Sequence, residues 1–251
     1  VRRIPFTTRV PTITLGPHHV NRAGDGSEFH ALRDYAQGDS LRTVNWKASA
    51  RSGSLMVNQR VHESMTRLTL LLDARAASGA GPATATPLAD GCRAAVSIAG
   101  AALRVRDRIR LVAYGEGLTE VPEAPGSRQL HELREALSCL PARGAMGLAQ
   151  AVEAMATQLR PNTPVLILSG CEGDPSFVDG VRALRNRGCL PLVVASPVHV
   201  RPDGAEPEEP GAAALLAQRE QTLAGVRALG VPVHETEPGL PLDDLFRLGG
   251  A

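Results

Sequence analysis

The run Leu68-Thr69-Leu70-Leu71-Leu72-Asp73 is apolar at every position but Thr69 until it stops on a carboxylate. A strand solvated on one face alternates apolar with polar residues, whereas a strand covered on both faces does not, so this run predicts a central strand with helices above and below it. The pattern recurs downstream. Residues 109–114, 164–168, 190–195 and 231–234 read as further strands, with 118–121 returning as a hairpin after Gly115 and Gly117. Residues 88–106, 127–139, 148–159, 176–187, 212–229 and 242–248 read as helices between and after them. Strands alternating with helices predict an α/β domain over 66–251, a doubly wound, mostly parallel sheet of Rossmann type with helices on both faces. The acidic, proline-rich stretch 201–210 reads as a surface loop.

Upstream the pattern differs. Residues 1–23 interleave Ile4, Val10, Ile13 and Val20 with Pro5, Pro11 and Pro17, which suits extended, edge-like chain left from an upstream region. Residues 24–65 form a separate segment, expected to pack on the main domain. It reads as one short helix capped by Ser27 and stopped at Gly38 and a second capped by Asp39 and stopped near Gly53, with alternating residues 55–63 following as a strand.

Composition narrows the function. With 43% apolar and 21% charged residues in 251, the chain is globular in type. Lys and Arg total 27 against 26 Asp and Glu, so the domain-wide field that draws nucleic acid or an anionic membrane is missing. The most apolar stretch, 94–103, is interrupted by Ser97 and Gly100 and flanked by Arg93 and Arg104, short of the roughly 18 residues that cross a bilayer. Cys92, Cys139, Cys171 and Cys189 form no Cys-x-x-Cys pair, which argues against a zinc site and a disulfide framework and fits a reducing compartment. Val1 is not a usual initiator, so an upstream part is expected. Gly24 and Gly26 are fed by no strand and followed by no Lys-Ser or Lys-Thr, so no nucleotide or other cofactor is expected. His18 and His19 point to opposite faces of extended chain, and His30, His62 and His131 lack ligand-like neighbours.

The series Gly24, Gly26, Glu28, Phe29, Leu32, Arg33, Tyr35, Gly38, Asp39, Arg42, Asn45, Trp46, Lys47, Ser49, Ala50 and Arg51, with Val44 where the signature has Ile, resembles the bacterial domain-of-unknown-function-58 family. The resemblance covers residues 20–249 and implies a von Willebrand factor A-like domain. It further implies a protein partner, a MoxR-type AAA+ ATPase, in complex assembly or chaperone-like work. It also implies a cytoplasmic domain reaching the membrane only through an upstream anchor.

In von Willebrand factor A domains a divalent ion sits on an Asp-x-Ser-x-Ser loop, a Thr from a second loop and an Asp from a third. The matching positions here are Asp73, Arg75 and Ala77, then Met146, then Gly170, so Asp73 alone keeps its oxygen ligand. A single carboxylate beside a guanidinium is a poor match for Mg²⁺, which dehydrates reluctantly and is repelled by Arg75, so no metal is expected and Asp73 is expected to pair with Arg75 or cap a turn. The alternative, a metal-dependent adhesion-type module, would draw shifted oxygens from Ser78, Ser169, Glu172 and Asp174. An enzyme reading uses Ser169-Gly170-Cys171-Glu172-Gly173 as a nucleophile elbow: a cysteine hydrolase with Cys171, the base His234 and Asp203 or Glu206 as orienter. Against it, Pro175 suits the first turn of the following helix, so that helix starts too late for an elbow.

The segment 24–51 holds Phe29, Tyr35 and Trp46, three of the seven aromatic residues, among Glu28, Arg33, Asp34, Asp39, Arg42, Lys47 and Arg51. Two readings stay open. One is a buried network, with Asp39 capping a helix, Arg33 or Arg42 paired with Glu28, Asn45 bonding backbone and Trp46 plugging the core. The other is a docking face, because Trp, Tyr and Arg carry most interface energy. The combined expectation is a non-catalytic protein-interaction module with a degenerate metal site.

Overall fold

The structure, a computed structural model, describes residues 13–15, 18–20, 28–36, 39, 41–64, 67–81, 85–196, 210–236 and 246–248. In chain order the elements are β1 (Ile13–Leu15), β2 (His18–Val20), β3 (Glu28–Asp34), α1 (Trp46–Ser52), β4 (Met56–Ser64), β5 (Arg67–Asp73) and α2 (Pro87–Arg104). There follow β6 (Arg108–Tyr114), β7 (Leu118–Ala124), α3 (Ser127–Ser138), α4 (Leu148–Ala154), β8 (Pro164–Ser169), α5 (Phe177–Asn186), β9 (Leu190–Ala195), α6 (Pro210–Ala228), β10 (Val233–Glu235) and β11 (Phe246–Leu248). They fall into two compact units, one drawn from Val1–Gly16 and Arg67–Gly250 and the other from Pro17–Thr66.

The larger unit carries a six-stranded sheet in the order β10-β9-β8-β5-β6-β7. All neighbours are parallel except β6 and β7, which form the hairpin. Counted from β5, this is the doubly wound order 3-2-1-4-5-6, with β5 and β8 as the two central strands. Successive residues of β5 face opposite sides. Leu68, Leu70 and Leu72 pack with Ala95, Ile98 and Ala99 of α2 and Leu133 of α3. Leu71 joins Val152 of α4, Phe177 and Val181 of α5, and Leu223 and Val226 of α6 on the other face. Both faces are therefore covered, which is why the run needs no polar alternation, and each fully buried Leu contributes roughly 1.5–3 kcal/mol. Thr86 starts α2 by accepting the Ala89 N–H at 3.1 Å, with Pro87 in the first turn where its missing N–H costs nothing. Pro122 on the edge strand β7 leaves its carbonyl to the buried Gln129, whose Nε2 donates to Pro122 O at 2.7 Å and Ile109 O at 2.9 Å.

The smaller unit is an antiparallel sheet in the order β2-β4-β3, with α1 in the link from β3 to β4. The helix expected from Ser27 to Gly38 is instead β3, paired with β4 from Glu28↔Val61 to Asp34↔Met56. Its Glu, Ala, Leu and Arg are good helix formers, and pairing with a partner strand overrides that preference. The second helix is real but starts later: Asn45, not Asp39, is its cap, with Oδ1 accepting the Ala48 N–H at 3.0 Å, and Gly53 ends it at φ 74°.

Two other expectations change. Residues 13–15 and 18–20 are extended as expected but do not stand apart as a remnant. β1 pairs parallel with β11 and β2 pairs antiparallel with β4. The last expected helix, 242–248, is a strand over its described part, Phe246–Leu248, because the pairing with β1 is invisible to local periodicity. The loop 201–209 lies outside the described residues.

Two glycines separate packing from propensity. A Cβ on Gly180 of α5 would lie 2.5 Å from Leu148 Cγ and 2.8 Å from Ala149 N of α4, whereas one on Gly100 of α2 meets nothing within 4 Å. Gly180→Ala should lower stability by about 1–3 kcal/mol, through forced separation of α4 and α5, while Gly100→Ala should raise it by about 0.5–1 kcal/mol. Urea midpoints of the two variants check this, and equal signs would contradict it.

Candidate functional site

β5 ends on Asp73 and β8 on Ser169, with Leu72 and Leu168 in register between them. From these two strand ends the chain winds in opposite directions across the sheet, which makes their carboxyl ends the place where a doubly wound fold presents a ligand. Arg75 folds back there onto Asp73. Its Nε donates to Asp73 Oδ1 at 3.0 Å and its Nη2 to Oδ2 at 2.8 Å, a two-pronged pair, and its own N–H reaches Oδ1 at 3.1 Å. The same guanidinium crosses to the loop after β8, donating to Glu172 O at 2.9 Å and Gly173 O at 2.8 Å. Ser169 Oγ donates to Asp73 Oδ2 at 2.8 Å and accepts the Cys171 N–H at 2.9 Å. Asp73 and Arg75 are 2% and 4% exposed, so water competes for none of these bonds. Burial pulls the Arg75 pKa down, but the hydrogen bond and attraction of Asp73 outweigh it and leave it raised.

The neighbouring turn is fixed by Asp174. Its Oδ2 accepts the Leu148 N–H that opens α4, at 2.8 Å, and its Oδ1 accepts Ser176 N and Oγ at 2.9 and 2.7 Å. Gly147 is required at this approach, since a Cβ there would sit 2.3 Å from Ser176 Oγ. A second buried arginine, Arg219 of α6, donates to Gly170 O at 3.2 Å and Ser196 O at 3.1 Å. Sequence reasoning missed Arg219, although its signal was present: it shares a spacing of four and seven with the buried Leu223 and Val226 on one helix face.

These residues do not fit a divalent ion beside the guanidinium. Both Asp73 oxygens are taken, Ala77 lies in the short 3-10 turn Ala76–Gly79, Met146 packs against the core, and Gly170 lies against Pro87. Among the four shifted oxygen donors, the Ser169 hydroxyl is committed to Asp73 and the Asp174 carboxylate to the start of α4, while Glu172 offers its carbonyl to Arg75. Ser78 is buried within that short turn. Among the described residues no group of three His, Cys, Asp or Glu side chains comes together as a ligand set.

The smaller unit resolves its two readings unevenly. Asp39 Oδ2 closes a turn by accepting the Ala36 N–H at 2.8 Å, Asn45 caps α1, and Tyr35 is half-buried. The side chains of Glu28, Phe29 and Arg33 lie outside the described residues. Trp46 is 65% exposed, so it is not the core plug of the buried-network reading. At 100° per residue, Trp46, Ala50, Lys47 and Arg51 line one arc of α1, all four exposed, with Ala48 and Ser49 turned inward. Arg42 and Leu41 just before the helix are exposed as well.

Cys171 is 1% exposed at φ 61°, and burial first of all pushes its thiol up to about 12. α5 begins only at Phe177, so no helix follows the thiol as an elbow needs, and Asp203 and Glu206 lie outside the described residues. A small electrophile at pH 7 should therefore label the exposed Cys139 quickly and leave Cys171 unmodified, as read by mass spectrometry of tryptic peptides. Stoichiometric modification of Cys171 in the folded protein would contradict this.

No helix among the described residues is long and apolar enough to cross a membrane. Uncharacterized proteins of Mycobacterium bovis and Mycobacterium tuberculosis are 28% identical to the chain over 171 residues, covering 65% of it and 53% of each relative. The chain thus spans about half the length of the curated relatives it matches. Among solved structures, an aerotolerance-related membrane protein from Bacteroides fragilis is similar at TM-score 0.48 and 9% identity, covering 69% of this chain and 92% of that one. BatB from Bacteroides thetaiotaomicron is similar at TM-score 0.46 and 9% identity over 68% and 90% of the two chains. The SpRpn10 VWA domain is similar at TM-score 0.42 and 8% identity over 72% and 93%. The family model described as protein of unknown function DUF58 matches residues 31–220, and the chain belongs to that family.

Proposed function

We propose that the chain is a non-catalytic module that binds another protein without a divalent ion, through the exposed arc of α1. The observation that carries this reading is the indole of Trp46, 65% exposed beside Lys47 and Arg51 on a helix with no acidic residue. Exposing a Trp to water forgoes the stabilisation that burial would bring, and a large ring flanked by cations is the composition that anchors interfaces. Charge complementarity selects an acidic surface as the occupant, because Lys47 and Arg51 stand on the same exposed arc as the ring. The family resemblance implies a MoxR-type AAA+ ATPase as the partner, and the proposal is that this ATPase carries the acidic surface, with this chain as the cytoplasmic part of a membrane-anchored protein. A degenerate metal site agrees with binding of this kind: the Asp73 carboxylate is consumed internally and offers no open cation to a partner's carboxylate.

The test is binding of the MoxR-type ATPase of the same genome to immobilised chain in excess chelator. Trp46→Ala should weaken binding by about 30-fold or more, the loss expected of an interface anchor, with the melting temperature unchanged within about 2 °C because the ring is solvated. Charge reversal at Lys47 and Arg51 should abolish it. Undiminished binding by Trp46→Ala, or binding only when Mg²⁺ is added back, would overturn the reading.

A further inference from the structure

We infer that the guanidinium of Arg75 is a tethered cation seated in an oxygen-lined socket, doing the work of a bridging metal ion with a group the chain cannot lose. Four oxygens accept from its side chain at 2.8–3.0 Å: Asp73 Oδ1, Asp73 Oδ2, Glu172 O and Gly173 O. A fifth, Ser169 Oγ, lies in the same network on Asp73 Oδ2. A carboxylate, a hydroxyl and two backbone carbonyls from two separate loops are the hard donors that hold Mg²⁺ or Ca²⁺ in proteins. Here the carboxylate and the two carbonyls are satisfied by one planar fork of N–H donors, which matches a carboxylate with two prongs and keeps further donors for the carbonyls, while the hydroxyl donates to Asp73. Both charges are buried, and the pair is neutral as it stands.

The inference extends to what the tether does. The loop after β8 holds Cys171 at φ 61°, a conformation uncommon for a residue with a side chain, and its N–H is pinned on Ser169 Oγ. Arg75 holds the next two carbonyls of that loop, and Arg219 holds the carbonyl before it. A bound ion would make this loop's shape depend on ion concentration; the tethered guanidinium makes it constitutive. Removing the side chain leaves the oxygens facing a space with one carboxylate and no cation, which is a weak site for a hard divalent ion. This inference is independent of the docking reading, since Asp73 and α1 belong to different units.

Thermal unfolding of the wild type, Arg75→Ala and the double variant Asp73→Asn/Arg75→Ala, each in EDTA and in MnCl₂, tests it. The wild type should melt at the same temperature in both. Arg75→Ala should melt roughly 10 °C lower in EDTA, as expected for stranding a buried charge, and regain about 4 °C in an ion concentration about tenfold above a millimolar Kd. The double variant should regain nothing, which separates specific binding from a general salt effect. Should Arg75→Ala fail to fold in EDTA, its refolding yield in MnCl₂ is the readout. An Arg75→Ala protein whose melting point or refolding yield ignores the ion would overturn the inference, as would a wild type stabilised by Mn²⁺ through Asp73.

Discussion

The ends of β5 and β8 are held together by one buried cation, the Arg75 guanidinium, against the Asp73 carboxylate and two backbone carbonyls. Taking both charges out of water costs several kcal/mol each, and their mutual attraction repays it only when every remaining donor and lone pair finds a partner. That condition explains the neighbourhood. Ser169 serves the second Asp73 oxygen, the loop carbonyls serve the outer guanidinium donors, and Asp174 turns its carboxylate away to the start of α4. Losing either charged partner would strand the other at about 3–5 kcal/mol, so the pair fixes which loop meets which strand end.

The sheet makes this arrangement possible by being buried on both faces. Leu70 and Leu72 anchor β5 under α2, and Leu71 anchors it under the opposite helices, so Asp73 emerges at a place with no lateral freedom. A doubly wound fold presents exposed groups at this edge. In this chain the Asp73 and Arg75 side chains are satisfied internally at this edge, the buried Tyr114 hydroxyl beside them has no hydrogen-bond partner among the described residues, and an exposed aromatic, Trp46, lies on the short helix between β3 and β4.

What the sequence disclosed follows the range of the forces involved. β5, β6, β8 and β9 were legible because burial on both faces writes itself locally as an apolar run. The Asp73–Arg75 pair was legible because its members are two residues apart. β3 was not, because its helix-forming composition is overruled by pairing with β4, and neither was β11, whose partner β1 lies at the other end of the chain. The carbonyls of Glu172 and Gly173 were not legible because a backbone acceptor carries no residue-type signature. Trp46 was ambiguous because an aromatic residue defaults to the core, and its exposure depends on where Ala48 and Ser49 turn the helix.

The central claim, that a side-chain cation fills the place between Asp73 and the loop after β8, is tested most directly by a crystal structure grown in MnCl₂ and measured at a wavelength where manganese scatters anomalously. The account predicts density for the Arg75 guanidinium within hydrogen-bond distance of Asp73, Glu172 O and Gly173 O, and no anomalous peak there. A manganese peak bonded to Asp73, with Arg75 swung away, would contradict it.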